Sequence, residues 1–460
     1  MNSPTGPFGH PVDERLRRAF RVIGLAVLAC LFGLAAGCGD DSGGSKSQPD
    51  GKPAATASKP ATAASSKPTT PDDLPLALVL GLSAFAEREP GATGLPVPLP
   101  AELEFIVRRD GEWVKTTLTD PDSNVFHKAL AYTTPDGSVA LLTGAGSKAM
   151  VKLWRKEAGN FVSQTLWEKD FGGRFSTIRD IEVGDIDGNG TNVIAVATHD
   201  QGVVAIIRPK GDGYEVEELD AEKDTFVHEI ELGDIDGDGA IEIYATPSEP
   251  NRLDGSVQSG HVVRYRPIKG EGRVVVADLG QRHAKEILVH DIDGDGKDEL
   301  YVIVEGQKNP DGKGLLHRTE IWRYGADTPP DQGVVIAELD DRLGRFLTPS
   351  DLDGDGEKEL VVALFQNGVW WLRPDPDPSK QWRKTAIDRR SSSFEHAALA
   401  TDLDGDGVQE LYVASDNNKA LRRYVWNGRR LVKEEIYKRD DNRSILTWNI
   451  MPIPLELVAD

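Results

Sequence analysis

One acidic nine-residue motif occurs five times between residues 185 and 410 of this 460-residue chain. The copies read DIDGNGTNV, DIDGDGAIE, DIDGDGKDE, DLDGDGEKE and DLDGDGVQE, and successive copies start 49 to 60 residues apart. A motif repeated at this period is typical of a solenoid or a propeller, in which each repeat buries its apolar face against its neighbours. The repeat therefore constrains the fold more than any other feature.

Carboxylates at positions 1, 3, 5 and 9 of the motif can converge on one cation. Glycines at positions 4 and 6 allow the necessary tight turn, because glycine adopts positive φ without steric cost. An all-oxygen cage suits calcium, with six to eight ligands in flexible geometry, better than octahedral magnesium. The predicted ligands in the four complete copies are Asp234, Asp236, Asp238 and Glu242; Asp291, Asp293, Asp295 and Glu299; Asp351, Asp353, Asp355 and Glu359; and Asp402, Asp404, Asp406 and Glu410.

The first copy departs from this pattern. Asn189 stands at position 5 and Val193 at position 9, so Asp185 and Asp187 are its only carboxylates at ligand positions. We expect about four Ca²⁺ sites and a weak or empty fifth.

The loops account for much of the formal net charge of −22. Because the chain has no dense basic patch, nucleic acid is not an expected partner. We expect the protein to be a monomer.

The segments around the loops predict strands. An EF-hand would need flanking helices and a glutamate at position 12. The segments ELYVIVEG, ELVVALF and ELYVAS are instead short and rich in β-branched and aromatic residues. These loops and strands resemble the FG-GAP/VCBS family of calcium-binding β-propellers, which includes integrin α-subunit heads, over roughly residues 101–460. The resemblance implies a structural calcium in each loop and no single activity.

Counting units predicts an all-β propeller of seven four-stranded blades, with six or eight as alternatives. Six units are complete, and the first of them has a degenerate loop at residues 133–137. The seventh blade is expected to combine two strands from LEFIVRRDGEWVKTTLTD with two from SILTWNIMPIPLELVAD. Joining the termini in this way would pair strand edges that are otherwise exposed.

The N-terminal part of the chain predicts export and a lipid anchor. Residues 1–37 contain several arginines followed by the apolar run VIGLAVLACLFGLAAG, a pattern typical of a secretory signal. The segment LAAGC resembles the bacterial lipobox, which implies cleavage before Cys38 and lipidation of that cysteine. An uncleaved membrane helix is the alternative, although the run is short for a span.

Residues 38–73 are rich in Ala, Ser, Pro and Lys and are predicted to be a disordered linker. Residues 74–100 are an uncertain connecting segment, which we expect to pack on the propeller. The expected location is the bacterial cell envelope outside the cytoplasm, with the membrane reached through the lipid on Cys38. Because Gly39 rather than Asp follows that cysteine, the outer membrane is favoured.

Two sets of residues are candidates for ligand binding. Six residues before each motif, or before the degenerate loop, the chain has a potentially cationic side chain, which a propeller would place at one mouth of its central channel. These groups could bind a carboxylate, sulfate or phosphate, or could only hydrogen-bond across blades. Trp370 and Trp371 are adjacent on a predicted strand, so one should face outwards and could stack on a sugar, the alternative being inter-blade packing. The cationic set is His127, Arg179, His228, Lys285, Arg345 and His396.

The chain contains no recognisable catalytic motif, so we interpret it as a non-enzymatic module that binds a glycan or a protein. One alternative is a polysaccharide-active, lyase-like enzyme. In it the basic ring would neutralise a uronate carboxylate, and a histidine or lysine of the ring would remove the proton α to that carboxylate. The candidate residues of this site are His228, Lys285, Arg345 and His396. Another alternative, an integrin-like adhesion scaffold, rests on family analogy alone.

Overall fold

The structure, a computed structural model, describes residues 74–87, 96–172, 176–247, 249–252, 254–377, 380–440 and 443–458. The predicted signal peptide, the Cys38 lipidation site and the linker lie outside the described residues. Within these ranges the chain forms strands and three short 3-10 helices. No helix there is long and apolar enough to cross a membrane.

Seven four-stranded antiparallel sheets are arranged as the blades of a propeller, which confirms the predicted fold. The blade that closes the ring combines both ends of the described chain. From its outer edge inwards, the strand order is third, second, first and last strand of the chain. These strands are β1 (Leu76–Phe85), β2 (Ala101–Arg109), β3 (Glu112–Asp120) and β30 (Ser444–Pro454).

In each of the other six blades the strands follow chain order from the innermost strand outwards. Blade 1 has β4 (Val125–Thr133), β5 (Val139–Gly146), β6 (Ala149–Glu157) and β7 (Asn160–Lys169). Blade 2 has β8 (Ile178–Gly184), β9 (Val193–Thr198), β10 (Val203–Lys210) and β11 (Gly213–Ala221). Blade 3 has β12 (Val227–Gly233), β13 (Glu242–Pro247), β14 (His261–Arg266) and β15 (Glu271–Asp278), with a 3-10 turn at Pro267–Lys269.

Blade 4 includes a small extra hairpin between its second and third strands. Its strands are β16 (Ala284–His290), β17 (Glu299–Val304), β20 (Thr319–Tyr324) and β21 (Val334–Leu339), and the hairpin is β18 (Gln307–Lys308) and β19 (Leu315–His317). Blade 5 has β22 (Gly344–Ser350), β23 (Glu359–Leu364), β24 (Val369–Arg373) and β25 (Arg383–Asp388). Blade 6 has β26 (Ala398–Thr401), β27 (Glu410–Ser415), β28 (Ala420–Trp426) and β29 (Leu431–Lys438), and 3-10 turns lie at Asp416–Asn418 and Leu455–Leu457.

The closing blade, blade 7, corrects two expectations from the sequence. The C-terminal segment supplies one strand rather than two, and the N-terminal side supplies three. The third N-terminal strand is β1, which lies in the connecting segment that we expected to pack on the propeller rather than to form part of a blade. β1 is apolar on both faces because it is a central strand, paired with β30 on one side and β2 on the other. The propeller therefore begins at Leu76 rather than at residue 101.

The second strands of the blades form the most buried part of the fold. Every residue of β9, β13, β17, β23 and β27 is buried. Each lies between two strands of its own sheet and between two neighbouring blades, so neither face meets solvent. This explains why sequences such as ELYVIV and ELVVAL are apolar without the alternation typical of a half-exposed strand.

Candidate functional site

The five acidic loops lie on one face of the ring. Each connects the innermost strand of its blade, in blades 2 to 6, to the second strand. We call this side the loop face. The opposite side, where the innermost strands begin, is the mouth face. It also carries the connections from the second strand to the third, because neighbouring strands are antiparallel.

All five loops share one backbone conformation. The first aspartate of each loop accepts hydrogen bonds from main-chain N–H groups of its own loop, as Asp402 does from Asp406 (3.1 Å) and Gly407 (2.9 Å). The first loop makes the equivalent bonds from Asn189 and Gly190 to Asp185, at 2.9 and 2.8 Å. The glycines at positions 4 and 6 have φ between 64° and 89° in every copy, in the left-handed region where a side chain would be strained.

Four of the loops bring three carboxylates together. In each, oxygen atoms of the aspartates at positions 1, 3 and 5 lie within 4.8 Å of one another. The glutamate at position 9 follows at the start of the second strand and is almost fully buried, as Glu242 and Glu410 illustrate, at 1% and 2% exposure. The four triads are Asp234, Asp236 and Asp238; Asp291, Asp293 and Asp295; Asp351, Asp353 and Asp355; and Asp402, Asp404 and Asp406.

The position 9 glutamates of blades 4 and 6 are buried and carry raised pKa values. Burial raises the pKa of Glu299 to about 7 and the pKa of Glu410 to about 8. A tyrosine two residues further on donates a hydrogen bond to the same glutamate, at 2.9 Å from Tyr301 and 3.1 Å from Tyr412. The hydroxyl holds the carboxylate in place and leaves its other oxygen for a cation.

Blade 5 offers the clearest test of the fit to calcium, because Val361 replaces the tyrosine there. The buried Glu359 Oε2 has no hydrogen-bond partner, and neither has Asp353 Oδ1. Burial raises the pKa of Glu359 to about 8, although the nearby Trp371 Nε1 opposes this rise. The Trp371 N–H and the Glu359 carboxylate do not meet hydrogen-bond geometry. Unpaired buried oxygens beside an all-oxygen triad fit a hard cation such as Ca²⁺.

Arginines on the third strands were not recognised from the sequence. Each pairs with the aspartate at position 3 of its own blade, as Arg373 does with Asp353 at 3.0 Å. The signal was at least one arginine in the third-strand segment of each of blades 2 to 6. In the first loop, Arg208 binds both oxygens of Asp187, at 2.8 and 3.0 Å. That loop therefore has little negative charge left for a metal. The remaining pairs are Arg266 with Asp236, Arg323 with Asp293 and Arg423 with Asp404.

At the mouth face, the predicted ring of cations is paired with carboxylates that sequence reasoning missed. Lys285 lies 2.6 Å from Glu249, and Arg345 lies 3.8 Å from Glu305. Glu249 and Glu305 follow the second strands of blades 3 and 4, so their shared position after a repeat strand was the available signal. The predicted ring is therefore not a set of unpaired donors.

One ion pair crosses the channel mouth. Arg179 of blade 2 lies 3.7 Å from Glu395, at the start of blade 6. Trp448 of blade 7 supports the same arginine, whose guanidinium lies 5.2 Å from the centre of the indole ring. His127 packs edge-on against Trp448 at 4.6 Å. Side chains of four blades therefore meet at the channel mouth.

The histidines of the predicted ring are internal and neutral. His396 is fully buried between the Leu364 carbonyl (2.5 Å) and the Ser391 hydroxyl (2.8 Å), and burial lowers its pKa to about 4. His127 contacts the Ile178 carbonyl at 2.6 Å. His228 lies 3.2 Å from Glu249, and burial, with Lys285 nearby, lowers its pKa well below the usual range.

Below the mouth, acidic side chains of blades 2, 3 and 4 surround Lys128 of blade 1. The lysine Nζ lies 3.1 Å from an Asp180 carboxylate oxygen. Burial acts to lower the pKa of Lys128, but the surrounding carboxylates raise it well above its usual value. Two carboxylates also bridge blades: Asp180 accepts a hydrogen bond from the Ile230 N–H, and Glu286 accepts one from the Leu347 N–H, both at 3.0 Å. The other carboxylates are Glu182, Glu229 and Glu231, and burial raises the pKa of each.

This cluster predicts that stability falls as the pH rises. Burial raises the pKa of Glu286 to about 8, with Asp180 adding to the shift, although the Leu347 hydrogen bond opposes it. A carboxyl whose pKa is raised on folding stabilises the fold below its unfolded-state pKa, and that stabilisation is lost as the pH passes the folded-state value. With calcium in excess, Glu286→Gln should raise Tm by about 2–5 °C near pH 9 and leave it unchanged near pH 5.

Thermal unfolding followed by circular dichroism at both pH values checks this expectation. The matched control is Glu215→Gln on the outer strand β11, where the carboxylate is exposed. Parallel Tm-against-pH curves for the two variants would show that Glu286 does not carry the effect.

The adjacent tryptophans of β24 face opposite sides, as alternation predicts. Trp371 is 3% exposed and packs edge-on against Trp426 at 6.0 Å. Trp370 is half-buried, donates a hydrogen bond to the Asn367 carbonyl and stacks with Arg389. Every tryptophan among the described residues is buried or half-buried.

Comparisons with known proteins agree with this architecture. Residues 351–413 match the model of the FG-GAP-like repeat family, as the loops predicted. A solved structure from Bacteroides fragilis, provisionally named a 6-phosphogluconolactonase, is similar at 12% identity and a TM-score of 0.50, covering 83% of this chain and 98% of that one. The Dos1 propeller is similar at 10% identity and a TM-score of 0.48, covering 81% and 86%. No curated protein matches the sequence. These likenesses concern the fold alone.

Proposed function

We propose that this chain is a calcium-stabilised binding module held at the bacterial cell envelope by a lipid on Cys38, and that it binds a protein ligand on its mouth face. A propeller with FG-GAP repeats is an architecture suited to binding. We choose the mouth face because three hairpin extensions on it have exposed aliphatic side chains.

The three extensions join the second strand to the third in blades 3, 4 and 7. In blade 3, Asn251 pairs with Val257, in blade 4 the extension is the β18–β19 hairpin, and in blade 7 Phe85 pairs with Pro98. Each has an exposed aliphatic side chain among its described residues: Val257 (72% exposed), Leu316 (54%) and Val97 (64%). Loops on a rigid scaffold are a common location of binding sites.

A protein ligand is favoured over a glycan by the chemistry of these side chains. Sugar rings are commonly held by exposed aromatic rings, whereas the tryptophans here are used inside and between blades. Trp154 and Trp382 are only 5% and 4% exposed. Exposed valine and leucine side chains on these extensions provide apolar contacts for a protein surface. A glycan ligand remains the second candidate, supported by the half-buried Trp370 at the edge of blade 5.

The lyase-like alternative receives less support from the geometry. Its cation for a uronate would be Arg345, which is 4% exposed and already placed over Phe394 and beside Glu305. Its candidate base His396 is fully buried, with both ring nitrogens engaged. The cationic side chains at the mouth are already paired with carboxylates, so they act as contacts between blades.

Calcium would serve the scaffold rather than the ligand in this proposal. Carboxylates at positions 1, 3, 5 and 9 would hold the ion on the loop face, opposite the hairpins. When bound, it would neutralise the clustered charge of each loop and fix the start of the second strand, which is the most buried strand of each blade. The chain's own contribution is a preformed loop, since the backbone turn is held by the first aspartate.

Site-specific photo-crosslinking in the bacterial host tests the proposed face. A photo-reactive residue at Val257 or Leu316 should give one adduct of defined mass, the same from both positions. The matched control is Ile268, which is 51% exposed but lies on the loop face. The mouth-face proposal would be contradicted if only the Ile268 position gave an adduct, or if none of Val257, Leu316 and Ile268 did. Calcium-dependent binding of the purified protein to a glycan array would support the second candidate instead.

A further inference from the structure

The residue at position 8 of one acidic loop contacts the first residue of the preceding loop. Asp298, at position 8 of the blade 4 loop, accepts a hydrogen bond from the Asp234 N–H at 2.7 Å. Its own N–H donates to the Asp234 carbonyl at 3.3 Å. Gly233 permits this approach, because a Cβ there would lie 2.8 Å from the Asp298 carboxylate. Both polar main-chain groups of a predicted calcium ligand are therefore held by the neighbouring blade.

The same register recurs at the next two junctions. Gln409 Oε1 of the blade 6 loop accepts a hydrogen bond from the Asp351 N–H at 2.8 Å. Lys358 of the blade 5 loop donates to the Asp291 carbonyl at 3.3 Å and contacts His290 Nε2 at 3.1 Å. Three different side chains, Asp, Gln and Lys, thus make contact with position 1 of the preceding loop. The loop position, rather than the residue type, determines the contact.

At two of these junctions, the side chain at position 7 of one loop also packs against the preceding loop. A Cβ added to Gly237, at position 4 of the blade 3 loop, would lie 3.0 Å from the Lys297 side chain of the next loop. A Cβ on Gly354 would lie 2.8 Å from Val408. The backbone turn of one loop is therefore in close contact with the following loop.

The series of contacts ends at the loop with the fewest carboxylates. Position 8 of the blade 3 loop is Ile241, whose side chain packs against the apolar core and has no polar atom to offer Asp185. In the first loop, the residue at this position is Asn192, and only its carbonyl is contacted, by the Tyr132 hydroxyl at 3.5 Å. The polar junctions therefore join the blade 3, 4, 5 and 6 loops, the four with complete ligand sets.

We propose that the position 8 residues Asp298, Lys358 and Gln409 couple these four loops, so that they bind Ca²⁺ cooperatively. The inference rests on the proposed calcium binding. Position 8 lies between the position 7 carbonyl and the position 9 glutamate, the two ligands closest to the second strand. An ion that fixes both also fixes the residue between them, and through it position 1 of the preceding loop. By linkage, an ion in the preceding loop favours the following one to the same extent.

Calcium titration of the full-length protein by isothermal calorimetry tests the coupling. Wild-type protein should take up about four ions with a Hill coefficient above 1. Asp298→Ala and Gln409→Ala should keep that stoichiometry, lower the Hill coefficient and weaken binding about fivefold at the preceding loop. Asn192→Ala is the matched control at the same loop position and should behave as wild type.

A second measurement does not depend on the alanine variants keeping their fold. Glu410→Gln removes a ligand from the blade 6 loop, and the Asp351 N–H can be followed by hydrogen exchange during a calcium titration. Coupling predicts that this amide then gains protection only at about fivefold higher calcium than in wild type. An unchanged midpoint, or a wild-type titration with four independent sites, would overturn the coupling and leave the calcium proposal standing. A wild-type titration with no calcium uptake would overturn both.

Discussion

A chain that begins at residue 101 is expected not to fold, whereas one that begins at residue 74 is expected to form the complete propeller. The difference is β1, in which eight of ten residues are buried. Four of its large side chains, Leu78, Val79, Leu80 and Leu82, are wholly inaccessible to solvent. Burial of each stabilises the fold by about 1.5–3 kcal/mol. Their sum, about 6–12 kcal/mol, is comparable to the total stability of a typical domain.

Hydrogen bonding makes the loss of β1 still more severe. β1 pairs with β30 along its whole length and with β2 on the other side. Without it, the innermost strand of blade 7 has no partner in its own sheet, and β2 becomes an open edge. Circular dichroism and thermal unfolding of the two purified fragments measure the effect. A cooperative transition at the same Tm in both would show that β1 does not close the ring.

Removal of calcium is expected to lower Tm by about 10 °C or more. An ion present at 100 times its Kd stabilises the folded state by about 2.7 kcal/mol per site, so four sites together contribute about 10 kcal/mol. For a chain of this size each kcal/mol corresponds to about 1–2 °C in Tm. Chelation also leaves three aspartates and a buried glutamate in each of the four loops without the neutralising ion. Differential scanning calorimetry with calcium, with chelator and with magnesium checks this expectation.

The matched pair for this experiment lies within one loop. Glu359→Gln removes the position 9 carboxylate of blade 5, whereas Glu357→Gln changes an exposed side chain two residues away. The first should reduce calcium uptake by one ion and lower Tm in calcium by about 2–5 °C, while the second should change neither. An unchanged Tm after chelation would contradict a stabilising role for calcium, and full recovery in magnesium would contradict the expected preference for calcium.

The repeated loops and the strands that follow them were predictable because their information is local. The turn depends on glycines at positive φ and on one aspartate that binds main-chain N–H groups within six residues, and both are present in the motif. The apolar second strands were equally visible. The composite blade was only partly predictable, since no local signal distinguishes a central strand such as β1 from a connecting segment that packs on the surface.

The channel mouth shows where sequence reasoning ended. The spacing of Arg179, Lys285 and Arg345 identified a shared position on the innermost strands, and the structure does place them at one mouth. Their partners Glu395, Glu249 and Glu305 come from other positions in the repeats or from a distant blade. A spacing pattern identifies equivalent positions, but it does not show which side chains from other elements face them.

The sequence by itself determined that this protein is an all-β repeat with acidic oxygen-rich loops, and it favoured seven blades, because turn chemistry, apolar strands and repeat period are properties of short segments. Only the tertiary structure decided three further matters. It joined β1 to β30, it paired the mouth cations with carboxylates, and it placed each position 8 residue against the preceding loop. The first depends on ring closure and the other two on the packing of blades against one another, and both bring together atoms that lie far apart in the chain.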